Sequence, residues 1–153
     1  MKIYSVQVNN RKKSFEIETA KGVMEFPFSR LEVKLVKNKI VEVFIDKELG
    51  NEAITFVLES GKEGSVHIDQ VLEYNQDPDY LKDLLLYKLT IQVQKLLKQK
   101  HVSKREIIRR LDTSPTQFYR LIDQTNTSKT LDQMIRLLGA LDCPVDIVFK
   151  DVA

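Results

Sequence analysis

The apolar and polar positions of this 153-residue chain change period near residue 76. Before that point they alternate. KIYSVQV alternates and ends at Asn9-Asn10, a turn signal. SFEIET alternates again, and Lys21-Gly22 leads into VMEFPF, so the two runs read as a hairpin. Pro27 places the second run at a sheet edge or a strand end. KIVEVFI is the densest strand signal. ITFVLES, the Gly61–Gly64 turn and SVHIDQV then form a second hairpin, although ITFVL also fits a short helix begun near Asn51-Glu52. The pattern predicts a small antiparallel β-sheet domain over residues 1–76, close to the size at which one core is marginal.

Asn75-Gln76-Asp77-Pro78-Asp79 stops the sheet and can cap a helix. From there the period is helical. Residues 80–100 carry a stripe of Leu81, Leu85, Leu89, Val93, Leu96 and Leu97, widened by Leu84, Leu86 and Ile91. A helix apolar over so much of its girth needs cover from more than one side. Residues 103–123 then hold two short helix signatures. Ser103 with Glu106, and Ser114 with Pro115 and Gln117, are N-terminal caps eleven residues apart, separated by a turn at Leu111-Asp112-Thr113. Ile107, Ile108 and Leu111 mark the inner face of the first helix; Phe118, Leu121 and Ile122 mark that of the second. The arrangement is a helix-turn-helix. Thr130 or Ser128 caps a further helix over 130–141, with Leu131, Met134, Ile135, Leu138 and Leu141 as its core face and Gly139 at a close helix contact. Residues 145–149 alternate as a terminal strand that needs a partner, either the N-terminal sheet or the same strand of a second copy. The predicted fold class is therefore α+β: a small antiparallel β-sheet domain, then an all-α helix-turn-helix domain (77–153) closed by a C-terminal β-strand.

Composition adds little: 42% hydrophobic and 30% charged residues describe a globular chain. No apolar run approaches the roughly 18 residues of a membrane span, and MKIYSVQVNN has no signal-peptide core. The single Cys143 excludes an internal disulfide and fits a reducing, cytoplasmic setting. The net charge of +2 is informative only when divided. Residues 1–78 hold 11 Lys/Arg against 13 Asp/Glu, and residues 79–153 hold 13 against 9. Within Lys95–Arg120 there are 8 basic residues and 2 acids, so positive charge gathers around the helix-turn-helix, where phosphates would be met.

The candidate chemistry follows from the faces. Thr116, Gln117, Tyr119 and Arg120 occupy the outer face of the second short helix and are side chains that can read base edges. Ser103, Lys104, Arg105, Ser114 and Lys129 are candidates for the DNA backbone, as helix-start groups or cations. Enzyme readings find little. His67 and His101 have no metal-ligand spacing, Asp77 and Asp79 read as caps, and Cys143 reads as a structural thiol. No cofactor is expected. Phe15, Phe26, Phe28, Phe44 and Phe56 could stack on RNA bases, but their alternation reads as core.

SKREIIRRL, TSPTQFYRLI and the Leu-rich helix leading into LDCPVDIVF resemble the Cro/repressor-type (XRE-like) helix-turn-helix regulators, in particular their antitoxin branch. The resemblance covers roughly residues 80–150. It implies that the first short helix braces the backbone and the second enters the major groove, with Ser114, Thr116, Gln117, Tyr119 and Arg120 at its DNA-contacting positions. Pro115 stands where the family often has Gln, and Ile108 where it often has Ala. The expected function is that of a sequence-specific DNA-binding transcriptional regulator. A homodimer on a palindromic site is expected, because one such unit reads too few base pairs alone. The alternative is an antitoxin-like interaction module gripping a toxin-like protein, with DNA binding secondary.

Overall fold

The computed structural model describes residues 1–151. The chain divides into two compact units, Met1–Tyr80 and the part from Leu81 onward.

The first unit holds two three-stranded antiparallel meanders. β1 (Ile3–Asn9), β2 (Ser14–Thr19) and β3 (Gly22–Pro27) form one; β4 (Ile40–Ile45), β5 (Ala53–Leu58) and β6 (Glu63–His67) form the other. Helix α1 (Ile68–Tyr74) follows β6 directly. Phe15, Ile17 and Phe26 from the first sheet share one core with Ile54, Phe56, Leu58 and Val66 from the second and with Ile68, Val71 and Leu72 of α1. As the central strand of its sheet, β5 is buried on both faces, which explains the near-continuous apolar run ITFVL. Its one polar member, Thr55, donates to Asp46 Oδ2 at 2.7 Å and lies 3.1 Å from Ser65 Oγ. Opposite Phe56 in the register stands Gly64, and a β-carbon there would lie 2.3 Å from the Phe56 ring. Only glycine leaves room for that ring. Docking of α1 on β3 is polar and aromatic: Asn75 Nδ2 donates to Glu25 O at 2.9 Å, and Tyr74 meets Phe26 edge-on.

Four helices carry the rest. α2 (Pro78–Gln99) begins with proline at its first position and runs into the second unit, which also holds α3 (Lys104–Leu111), α4 (Pro115–Ile122) and α5 (Leu131–Ala140). Its core joins Leu86, Val93 and Leu96 of α2, Ile107 of α3, Phe118 and Leu121 of α4, and Met134, Leu137 and Leu138 of α5 with Leu141. Lysine and arginine side chains cap the end of α5: Lys100 Nζ donates to Leu141 O, and Arg110 Nη1 to Ala140 O at 2.9 Å. Cations suit the negative end of a helix.

The predicted fold class is corrected on three points. The β part is two three-stranded sheets, not one small sheet. The strand expected over SVHIDQV ends at His67, whose Nδ1 accepts from Asp69 N while Gln70 accepts from His67 N, a capping box that starts α1. The C-terminal strand expected at 145–149 is absent: these residues have no ladder partner among the described residues, and Phe149 is 87% exposed. Alternation supplies a face but not a neighbour, and an unpaired strand has nothing to bond. Two smaller expectations also change. The core face of α5 uses the fully buried Leu137, while Leu131 and Ile135 are exposed. Gly139 faces open space rather than a close helix contact.

The two glycines should respond oppositely to the same change. Gly64→Ala should cost on the order of 1–3 kcal/mol, because Phe56 must leave its rotamer. Gly139→Ala should stabilise by up to about 1 kcal/mol from helix propensity alone. Urea midpoints of the two variants check both signs.

Candidate nucleic-acid interface

Local chemistry builds α3 and α4 in sequence. Ser103 Oγ accepts from Glu106 N at 3.2 Å and starts α3. The reciprocal half of the expected capping box is not made. Glu106 instead takes Arg109, with Nε to Oε2 at 2.9 Å and Nη2 to Oε1 at 2.5 Å, and Arg110 through Nε at 3.2 Å. The bond from Arg109, supported by Arg110, pulls the Glu106 carboxyl down to about 2. Asp112 ends α3 in the left-handed region at φ 50°, which turns the chain within three residues. Ser114 Oγ then accepts from Gln117 N at 3.2 Å, and Pro115 supplies the first residue of α4.

This geometry sorts the side chains of α4. Phe118 is fully buried and Leu121 nearly so, while Thr116, Gln117, Tyr119 and Arg120 are exposed. Lys104 Nζ lies 5.5 Å from the centre of the Tyr119 ring, a cation–π contact between the start of α3 and the outer face of α4. A cleft of about 770 Å³ between the two helices is lined by Ser103, Lys104, Arg105 and Tyr119, among others. Four predicted residues thus share one cleft, and Ser114 stands in the turn between two further lining residues, Thr113 and Pro115. Thr116 and Gln117 stand on the first turn of α4, and no hydrogen bond within the described chain occupies the Gln117 amide. Arg120 leans toward the following loop, with Nη2 3.4 Å from Ser128 Oγ.

Lys129 does not join that surface. It is 6% exposed, and its ammonium donates to Leu121 O at 2.9 Å and Asp123 O at 2.8 Å. Burial pulls its pKa below the usual lysine value, with Asp123 opposing. Its expected place at a DNA phosphate is corrected: the cation closes the C-terminal end of α4, where two carbonyls lack helix partners. Asn126 was not expected to contribute, yet its Nδ2 donates to Arg120 O at 3.0 Å and its Oδ1 accepts from Ser128 N at 3.0 Å. The only signal for it in the chain is the Asx chemistry of TNTS.

No group of three or more His, Cys, Asp or Glu side chains among the described residues is placed to hold a metal ion. No helix among the described residues is long and apolar enough to cross a membrane. Comparison with known protein families, characterised proteins and solved structures returns no match. The resemblance to the XRE-like regulators therefore rests on the motifs of this chain alone.

Two measurements follow from the titrating groups. Because Glu106 has a folded-state pKa below its unfolded value of 4.5, its ion pairs stabilise above that pH and are lost as pH falls toward about 2. A carboxyl-carbon NMR titration should place its midpoint well below the ordinary glutamate value of 4.5. Lys129→Met should leave the Leu121 and Asp123 carbonyls unmet and cost about 1–3 kcal/mol in a denaturation midpoint. In a DNA-binding assay, the same variant should leave the salt dependence unchanged if it still binds.

Proposed function

We propose that the chain is a sequence-specific DNA-binding transcriptional regulator of the XRE-like helix-turn-helix type, acting as a homodimer on a palindromic site in double-stranded DNA. In this reading α4 enters the major groove and α3 braces the backbone. The observation that carries it is the division of α4: an apolar face locked into the core and an exposed face of Thr116, Gln117, Tyr119 and Arg120. Gln117 reads adenine N6/N7 and Arg120 reads guanine O6/N7, since both pairings are bidentate. The Ser103 and Ser114 oxygens accept from the chain's own amides, so their hydroxyl protons are what they offer to phosphates. Lys104 and Arg105 supply charge beside them. A second reading, an interaction module for a toxin-like protein, draws on the exposed Leu85, Tyr87 and Ile91 of α2. Such apolar exposure on one helix suits a protein partner.

The two readings part on DNA. Selection of a bound sequence from random duplexes should yield a consensus with two half-sites. Gln117→Ala or Arg120→Ala should then cost on the order of 1–3 kcal/mol on that consensus and relax preference at one base position. Lys104→Ala with Arg105→Ala should weaken binding to all sequences alike and lower the salt slope by about 2, one per phosphate contact. Failure to enrich any sequence would leave the interaction module.

A further inference from the structure

The net charge of the first unit hides a local excess. Arg11, Lys12 and Lys13 in the turn after β1, and Lys34, Lys37 and Lys39 in the loop before β4, place six cations in two short segments. The two segments meet at one cleft of about 960 Å³. Lys12 and Lys13 line it from the turn, and Lys34 and Lys39 from the loop; no acid lines it. Among the described residues only Lys12 of these cations has a carboxylate partner, Glu25 at 2.5 Å. Between these cations the lining is apolar, including Phe28, Leu31, Val33, Leu35, Val36 and Ile40. An occupant must therefore bring apolar groups flanked by negative charge.

One segment of the chain has that pattern. In Val145–Asp151 an apolar run, Ile147-Val148-Phe149, sits between Asp146 and Asp151, with Lys150 the only cation. The run is unusually open to solvent: Ile147 is 60% exposed, Val148 85% and Phe149 87%. Beyond Cys143, the hydrogen bonds of this segment reach only its immediate neighbours among the described residues. Extended, seven residues span about 23 Å, with Ile147 and Phe149 on one side of the segment and Val148 on the other, so the two walls of a cleft can take all three.

We propose that the lysine-rimmed cleft of the first unit takes residues 145–151 of a second copy of this chain. Sedimentation separates docking on a second copy from docking within one chain. Desolvation of Val148 and Phe149 drives the docking, and Asp146 and Asp151 facing Lys34 and Lys39 orient it. The contact names a surface for the dimer invoked above, but every arm of its test omits DNA, so its failure is separable from failure of the DNA reading.

A fluorescent peptide of residues 145–151 is titrated with protein ending at Pro144, a truncation that removes nothing from either core. Saturable binding is expected. Lys34→Glu with Lys39→Glu should weaken it at least about tenfold, and a peptide carrying Asp146→Lys and Asp151→Lys should restore it, which also shows that the reversed protein is folded. In sedimentation the intact chain should associate and the truncated chain should be monomeric. No saturation at millimolar peptide, or equal binding by the charge-reversed protein, overturns the proposal. So does an intact chain that stays monomeric at tens of micromolar. Association that survives truncation overturns it too, and moves the contact to a surface such as the exposed face of α2.

Discussion

Complete burial of Phe118 is the constraint from which the outer surface of the second unit follows. A helix has about 3.6 residues per turn, so fixing one side chain in the core fixes the direction of every other. With Phe118 and Leu121 held among Ile107, Met134, Leu137 and Leu138, the side chains of Thr116, Gln117, Tyr119 and Arg120 have no choice but to face out. Rotation is fixed by packing; the ends are fixed by polar groups. Ser114 and Pro115 hold the start of α4, and the Lys129 ammonium holds its last carbonyls. A helix of eight residues is too short to be stable alone, so these attachments supply what propensity does not.

The local features of the fold were legible in the chain, because each is set by neighbours within a few residues. Strands β1 to β4 stand where period-two runs and turn residues place them, β5 settles as strand a run that also fitted a short helix, and α3 and α4 begin at the serines that cap them. Longer-range features were not. Whether six strands make one sheet or two depends on which edges meet, and alternation is silent on that. Helix α1 looks like strand in the sequence because Ile68, Val71 and Leu72 give one turn of helical spacing, too little to outweigh the Ser-Val-His-Ile run before it. The alternating tail at 145–149 shows the converse error. Period two is a property of the residues, whereas a strand is a property of a pair.

At the candidate site the same division holds. Faces and caps were legible, since spacing alone decides them. The roles of individual cations were not, because a lysine looks alike in the sequence whether it meets solvent, a carboxylate or a buried carbonyl. Lys129 lies in a polar loop and would be assigned to the surface by any local rule, yet it is among the most buried side chains of its unit. Burying an ammonium is costly unless hydrogen-bonded, and the two carbonyls at the end of α4 meet that requirement.

Counting charges therefore overstates the field that leaves the second unit. Of the 8 basic residues within Lys95–Arg120, Arg109 and Arg110 are held by Glu106, and Arg110 also meets Ala140 O and Asp142. Lys100 is held by Leu141 O. Those cations stabilise helix ends and an ion pair, and their charge is partly cancelled at short range. What projects outward is narrower: Lys95, Lys98, Arg120 and, nearest the cleft, Lys104, set over Tyr119, and Arg105 beside it at the start of α3. Since exposed charges are screened within about 8–10 Å at physiological salt, these nearest cations, rather than the total, decide where an anion would first be held. The first unit makes the same point in reverse. Its net charge is negative, but averaging over residues 1–78 erases two lysine-bearing loops that meet at one cleft. The unit of electrostatic argument is the patch within one screening length, and only the folded chain says which residues share it.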